Sequence, residues 1–170
     1  MKKILLGVGI TVILALTGVY TYAVVKDTTE QPKALQTAPT TVAEPPTPPE
    51  LLKYTNIKRK KAGVAPLRLD SKLNSSAQLK ADDMASYDYY EHVNPKTGKK
   101  GAQYIVEKDM GCKKVSENLT GWNSGEDALD VIDYLSTSKA HYMAMVDPSY
   151  DLVGFAVVED MVVQHFCDLP

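Results

Sequence analysis

Three side chains of this sequence have the chemistry to act together: His92, Glu117 and His141. Two neutral imidazoles and one carboxylate, completed by water, are a workable ligand set for zinc, which usually binds in tetrahedral geometry. The same groups can instead polarise a water molecule by acid and base assistance, without a metal. Their spacing alone does not bring them together, so the elements that carry them decide whether they form a site.

The segments around these residues are typical of helices followed by a pair of strands. A helix is predicted over 50–62, and Asp70 is a suitable N-cap for a second helix, which leads to His92. The apolar positions of that second helix form one stripe: Leu73, Ala77, Ala81 and Met84. A strong turn at 94–98 precedes a short helix around 101–109, a helix that opens at 124–127, and a helical turn over 138–145 that carries His141. Residues 152–158 and 161–167 are predicted strands, so the fold class is α+β.

Charge and motif content exclude several functional classes. The chain has 170 residues, enough for one domain with extensions, and its 19 basic and 21 acidic residues give a net charge of -2. A nucleic-acid partner is not expected, because such proteins usually carry a concentrated basic excess. The sequence contains neither a Gly-x-Ser-x-Gly nor a His-Glu-x-x-His motif, which favours binding over catalysis.

The N-terminal residues differ in composition from the rest. Residues 4–25 carry no charge and follow Lys2 and Lys3. As a helix they would span roughly 33 Å, which predicts a transmembrane anchor with a cytoplasmic N-terminus. The alternative is a signal peptide that is cleaved after Ala23, giving a secreted protein. Residues 26–49 contain six prolines and six threonines, which is typical of a disordered stalk. The sequence therefore divides into an anchor or signal (1–25), a stalk (26–49) and a domain (50–170).

A series of short motifs runs in a characteristic order through the domain. They are Tyr90-Glu91-His92-Val93-Asn94-Pro95, Ser116-Glu117-Asn118-Leu119, Ser138-Lys139-Ala140-His141, Asp147-Pro148 and Val153-Gly154, behind an opening pattern from Leu51 to Leu73. This series resembles the CAP superfamily of cysteine-rich secretory, antigen 5 and pathogenesis-related proteins, also called SCP domains, and most of all its bacterial branch. The resemblance covers about residues 51–158.

The resemblance implies a fold and a site. The fold is an α-β-α sandwich with a surface cleft, and several family members bind a divalent metal in that cleft. Carried over to this sequence, the cleft residues are His92, Glu117 and His141, with Asn118 and Ser138 as supports. Because Asn118 is expected to support the cleft, the glycosylation sequon that it opens is interpreted as structural.

This sequence departs from the family pattern at three points. Ser116 replaces the usual glycine, and Leu135 stands where a tryptophan is usual. The second acidic residue of the eukaryotic site has no clear match, although Asp133 lies nearby in the sequence. These departures predict modest metal affinity.

The remaining distinctive residues are two cysteines, a tryptophan and a histidine. Export would permit a disulfide between Cys112 and Cys167, which would tie the last strand to the segment before Glu117; free thiols or a metal pair are the alternatives. Trp122 is interpreted as either a core residue or a wall of the cleft. His165 is interpreted as structural.

The leading functional hypothesis is a membrane-tethered, extracytoplasmic CAP domain. Its cleft would bind a small molecule, a lipid or a cell-surface partner, with or without a divalent cation such as zinc. The enzyme alternative is a metal- or water-assisted hydrolase, similar to a protease, that uses His92, Glu117 and His141. A third hypothesis is a structural envelope protein with a vestigial cleft.

Overall fold

The computed structural model describes residues 44–170. The predicted anchor at 4–25 and the stalk up to residue 43 lie outside the described residues. Among residues 44–170, none of the helices combines the length and the hydropathy that a membrane span needs.

The described part of the chain alternates helices with a small mixed sheet. In chain order the elements are α1 (Pro48–Lys61), β1 (Arg68–Leu69), α2 (Ser71–Tyr87), α3 (Gly101–Val106), β2 (Lys114–Gly121), α4 (Ala128–Thr137), α5 (Lys139–Val146), β3 (Leu152–Val158) and β4 (Met161–Asp168). The strand order is β1-β3-β4-β2, with β1 parallel to β3 and the other pairs antiparallel. The fold is therefore α+β, as predicted, and β2 lies at one edge of the sheet.

The sheet lies between two helical layers. On one face, α1 and α4 contribute Leu51, Ile132 and Leu135 to a core that includes Phe155 and Phe166 of the sheet. On the other face α2 packs its predicted stripe, in which Ala77, Ala81 and Met84 contact Leu119, Ala156 and Val163. This arrangement is the α-β-α sandwich that the resemblance implies.

Helix α2 lies unusually close to the sheet where it crosses β3. A Cβ added to Gly154 would come within 2.1 Å of the carbonyl carbon of Leu73. Asp70 begins the helix as its N-cap, accepting hydrogen bonds from the backbone N–H of Lys72 and Leu73. Together the cap and the glycine fix where α2 starts and how deeply it packs.

A buried arginine fixes the opposite layer. Arg59 of α1 is fully buried and donates to the carbonyl oxygens of Ala65, Met145, Asp147 and Tyr150 at 2.6–3.2 Å. Burial lowers the pKa of the guanidinium. The bonds to Met145 and Asp147 join α1 to the end of α5, the helix that carries His141.

The predicted disulfide is confirmed. Cys112 and Cys167 are bonded, with their Cα atoms 5.4 Å apart, and the bridge closes a separation of 55 residues. It joins the end of β4 to the segment just before β2, and thereby fixes the edge strand that carries Glu117.

The pattern of polar residues does not predict strand β2. Its centre reads Ser116-Glu117-Asn118, without the apolar alternation that indicates a half-buried strand. In the fold these polar side chains have partners on the two faces of the sheet, so the strand is stabilised by hydrogen bonds as well as by apolar packing.

A histidine–carboxylate site at the edge of the sheet

Glu117 is the centre of the candidate site. It lies on β2 directly opposite His165 of β4, and its side chain is only 5% exposed. One carboxylate oxygen, Oε1, lies 2.8 Å from Nδ1 of His92, and the other, Oε2, lies 2.8 Å from Nε2 of His165. The side chain of His92 is 58% exposed, whereas that of His165 is fully buried. The site is therefore a buried carboxylate between one surface imidazole and one core imidazole.

Backbone contacts hold the loop that carries His92. Lys80 of α2 donates from Nζ to the carbonyl of Glu91 at 2.7 Å, and the N–H of Gly101 donates to the carbonyl of His92 at 2.8 Å. Farther along the loop, the side-chain amide of Asn94 donates to Asp83 of α2 at 2.8 Å. The loop is thus attached to α2 on both sides of His92 and to α3 at His92 itself.

Lys80 is a buried cation behind this loop. Its side chain is inaccessible to solvent, and Nζ donates to the hydroxyl of Tyr89 at 2.9 Å and lies 4.5 Å from the centre of that ring. Burial lowers the pKa of the lysine, and the nearby charges of Glu117 and Asp83 oppose that shift. Tyr89 in turn donates to Asp83. The buried charge of Lys80 is therefore compensated by its hydrogen bonds and by the nearby carboxylates.

The carboxylate of Glu117 fits only because residue 101 is glycine. A Cβ at Gly101 would lie 2.1 Å from Oε2 and 2.2 Å from Oε1 of Glu117. Real Cβ atoms essentially never come closer than 3.0 Å to such atoms. Gly101, the first residue of α3, thus packs directly against the carboxylate of Glu117.

The partners of Glu117 determine which nitrogen of His92 carries the proton. An ionised carboxylate can only accept hydrogen bonds, so the nitrogens that face it must carry protons. His92 therefore has its proton on Nδ1, and in its neutral form the exposed Nε2 presents a lone pair. A lone pair at that position can accept a hydrogen bond, take up a proton or bind a metal ion.

His165 has a second partner, a buried serine. Its Nδ1 lies 2.8 Å from Oγ of Ser76, whose hydroxyl also lies 2.9 Å from the carbonyl of Leu73. Ser76, His165 and Glu117 have the residue types of a Ser-His-acid triad, but both Ser76 and His165 are inaccessible to solvent. Ser76 therefore cannot reach a substrate, and this trio is a support for the site.

His141 approaches from the other helical layer. Ser138 caps α5 with an Oγ that accepts from the N–H of His141 at 3.5 Å. Asn118 is buried and donates from Nδ2 to the carbonyl of His141 at 3.1 Å and to Oε1 of Gln164 at 3.0 Å. The resemblance implies that Asn118 and Ser138 support the cleft, and in the structure both contact the backbone of His141. Burial leaves the amide of Asn118 inaccessible for glycosylation.

His92 and His141 lie close enough to influence each other electrostatically. Burial lowers the pKa of His141, and the positive charge of protonated His92 lowers it further. His141 is thus kept neutral near pH 7. The side chain of His141 makes no hydrogen bond to Glu117 in the part of the chain that the structure describes.

The donor atoms fit the predicted metal set only in part. Among residues 44–170, no group of three or more His, Cys, Asp or Glu side chains is arranged to hold a metal ion. Both oxygens of Glu117 already accept from imidazole nitrogens and its side chain is only 5% exposed, so Glu117 is poorly placed to ligate a metal as well. His92, through Nε2, and His141 remain as candidate ligands. Binding of zinc or another divalent cation stays a prediction.

The remaining singled-out residues, Trp122 and Asp133, bond to groups outside the candidate site. Trp122 belongs to the core with Leu135 and donates from Nε1 to the carbonyl of Glu126 at 3.0 Å, so it is a core residue. Asp133 forms an ion pair with Lys58 of α1 at 2.6 Å, so its partner is a residue outside the candidate site.

A cavity of about 530 Å³ lies near the site without including it. Tyr89 and Tyr90 from the loop before His92 form part of its lining, together with Met84, Met161 and Asp160. Burial, with added effects of Tyr134 and Asp160, raises the pKa of Tyr90 to about 12. None of His92, Glu117 and His141 lines this cavity.

Comparison with known proteins identifies the fold and the family. Residues 52–166 match the model of the CAP family, described as the cysteine-rich secretory protein family. The Bacillus subtilis protein YkwD is 28% identical over 113 residues, which are 65% of this chain and 42% of that protein. The chain therefore spans less than half the length of that relative.

Solved structures show the same fold at low sequence identity. An extracellular SCP-domain protein of Bacillus anthracis matches with a TM-score of 0.64 and 20% identity over 71% of this chain and 39% of its own. An outer surface protein of Borrelia burgdorferi matches with a TM-score of 0.63 and 21% identity over 71% of this chain and 90% of its own. A cysteine-rich secretory protein of Staphylococcus aureus gives a TM-score of 0.55 and 20% identity over 72% of this chain and 40% of its own.

Proposed function

This chain belongs to the CAP, or cysteine-rich secretory protein, family, and we propose that its domain binds a ligand outside the cytoplasm. The observation that carries this proposal is the exposed His92, oriented by the buried carboxylate of Glu117. An imidazole that is oriented by its own protein and exposed to solvent is available to bind a ligand. Ligand sites typically combine a few precisely placed polar groups of this kind with apolar surface.

Two observations support an extracytoplasmic location. Two similar structures are described as an extracellular protein and an outer surface protein. The Cys112–Cys167 bridge is a bond that persists in oxidising compartments. The apolar residues 4–25 would then tether the domain to the membrane through the stalk.

The ligand would meet two imidazoles from opposite helical layers. His92 offers a lone pair on Nε2, and neutral His141 offers a second donor or acceptor. The cavity beside the His92 loop has Met84, Met161 and Tyr90 in its lining together with the acidic residues Asp88, Glu159 and Asp160, so it suits a small molecule that has both apolar and polar groups. We therefore expect an amphipathic ligand with a hydrogen-bonding group at His92.

A survey of retained ligands tests the binding proposal. The full chain would be purified in mild detergent, and co-purifying molecules would be identified by mass spectrometry. We expect a molecule that is retained by the wild type and lost from His92→Ala and His141→Ala. The control is Asp133→Ala. It removes a surface charge of α4 whose ion-pair partner is Lys58, which is not a residue of the site. Equal retention by all variants would exclude the His92 site as its binding place.

Hydrolysis is a second candidate function, because an imidazole bonded through Nδ1 to a buried carboxylate is the arrangement of a general base. Water would be the nucleophile, since Ser76 is buried. A hydrolase would lose turnover in both His92→Ala and Glu117→Gln. If a ligand is bound and released unchanged, with no turnover by the wild type or any variant, the binding function is favoured over hydrolysis.

A metal ion, where bound, would be held by His92 through Nε2 and by His141. Glu117 would then orient the metal-binding imidazole through its bond to Nδ1. Calorimetry with zinc checks this: His92→Ala and His141→Ala should each weaken binding. Unchanged zinc affinity in both variants would place any zinc elsewhere.

A further inference from the structure

The orientation of Glu117 depends on a contact that the surface does not reveal. A glutamate side chain has three rotatable bonds. His92 bonds only one of the two carboxylate oxygens, so it would not fix the orientation of the carboxylate by itself. The second oxygen is held 2.8 Å from Nε2 of His165, a residue with no solvent exposure. His165 and Glu117 are paired directly across β4 and β2, so the sheet register itself brings them together.

An ionised Glu117 can only accept hydrogen bonds, so it holds a proton on Nε2 of His165, and Ser76 can complete the bonding of the ring in either charge state. If His165 is neutral, Nε2–H donates to Glu117 and Nδ1 accepts from the Ser76 hydroxyl at 2.8 Å. If His165 is an imidazolium, Nδ1–H donates to Ser76, and Ser76 donates to the carbonyl of Leu73 at 2.9 Å. In either arrangement Nε2 of His165 carries a proton that bonds Glu117.

We propose that the buried Ser76–His165 pair is a positioning device that fixes Glu117 and, through it, sets the exposed His92 in the Nδ1–H tautomer. The cleft then presents a hydrogen-bond acceptor, Nε2, and selects ligands that bring a hydroxyl or an amine N–H to this point. This selection rests on the proposed binding function, whereas the control of the tautomer does not. His165 is a positioning residue, because it acts on a ligand only through Glu117 and His92.

The tautomer of His92 can be read directly by NMR. The chain contains three histidines, so selective ¹⁵N labelling of histidine gives a simple spectrum of the full-length protein in detergent micelles. Long-range ¹H–¹⁵N correlations distinguish a protonated Nδ1 from a protonated Nε2. The measurement is made at pH 8.5, where unperturbed imidazoles are neutral.

The variants separate positioning from general destabilisation. His165→Phe keeps a ring of similar size but removes the donor to Glu117. His165→Gln keeps an N–H donor near the former Nε2. Thr55→Val is the matched control, since it removes a buried hydroxyl from a 3.3 Å contact with Gln164 of β4, a neighbour of His165 in the chain. Backbone spectra of each variant report whether it is folded.

We expect His92 to be the Nδ1–H tautomer in the wild type and in Thr55→Val. In His165→Phe most of that tautomer should be lost in favour of Nε2–H, and His165→Gln should restore it. A wild-type His92 with its proton on Nε2, or an unchanged tautomer in folded His165→Phe, would overturn the inference. If His165→Phe does not fold, Ser76→Ala removes a single hydroxyl; a mixed His92 tautomer is then expected, and an unchanged one refutes the role of the pair.

These results are independent of any ligand. Loss of the tautomer effect with a ligand still retained at His92 would refute the positioning role and leave the binding proposal intact. The reverse outcome, a controlled tautomer with no ligand retained, would leave the positioning role intact and remove the binding proposal.

Discussion

Replacing Gly101 by alanine measures how rigidly Glu117 is held. The new methyl carbon would lie 2.1 Å from Oε2 of Glu117, and such contacts require at least 3.0 Å. The carboxylate must therefore move by roughly 1 Å, unless α3 moves instead. Because the carboxylate is bonded to an imidazole at each oxygen, a movement of this size breaks or weakens both bonds.

The cost follows from the two hydrogen bonds. Hydrogen bonds to charged groups contribute about 1.5–3 kcal/mol each. Alanine offsets up to about 1 kcal/mol of this loss of stability, because it is a better helix former than glycine. If both bonds are lost, the net loss for Gly101→Ala is therefore about 2–5 kcal/mol. For a domain of this size that corresponds to a Tm lower by roughly 10 °C.

Urea and thermal unfolding of the Gly101→Ala protein test this estimate. The matched control is Gly121→Ala, in which the new Cβ would lie an ordinary 3.7 Å from the carbonyl oxygen of Asp160. The control should stay within about 0.5 kcal/mol of the wild type. If Gly101→Ala is equally harmless, Glu117 swings aside at little cost, and the carboxylate is not the rigid centre of the site.

Three further changes have defined outcomes. Removing the Cys112–Cys167 bridge by a double serine substitution should cost about 4 kcal/mol in the chain-entropy model, measured by urea unfolding; an unchanged midpoint would contradict this. Burial lowers the pKa of His141, so the unfolded chain binds more protons between that lowered pKa and about 6.5. The stabilisation that this histidine contributes is complete above pH 6.5 and is lost as pH falls toward the folded pKa; the corresponding part of the pH slope should vanish in His141→Gln. Arg59→Met leaves four carbonyl oxygens without their donor and should cost more than about 3 kcal/mol, which a Tm measurement detects; a loss below about 1 kcal/mol would show that water replaces the guanidinium.

Local patterns predict most of the helices and the last strand pair. The cap at Asp70 and the stripe from Leu73 to Met84 indicate α2, and the structure begins the helix at Ser71. The apolar segments 152–158 and 161–167 become β3 and β4, with β4 one residue longer. Element ends are less well predicted: the helix expected at 101–109 ends at Val106, because its last turn gives way to Asp109 with a positive φ of 49°.

Strand β2 shows where a local pattern fails. Glu117 and Asn118 are neighbours on the strand, so their side chains point to opposite faces of the sheet. Each is polar, and each is compensated by a partner that is distant in sequence: Glu117 by His92 and His165, Asn118 by Gln164. A hydrophobicity pattern cannot contain this information, since the stabilising partners come from other elements.

The positioning pair, by contrast, leaves a trace in the sequence. Ser76 and Lys80 are four residues apart and fall on the same face of α2 as Leu73 and Ala77, so two polar residues occupy the stripe that must be buried. His165 likewise interrupts the apolar strand β4, whose residues are buried along most of its length. A buried polar side chain needs a partner, so these positions indicate a polar cluster between α2 and the sheet. Their partners remain hidden, because Ser76 and His165 are separated by 89 residues, and only the packing of α2 across the sheet brings them together.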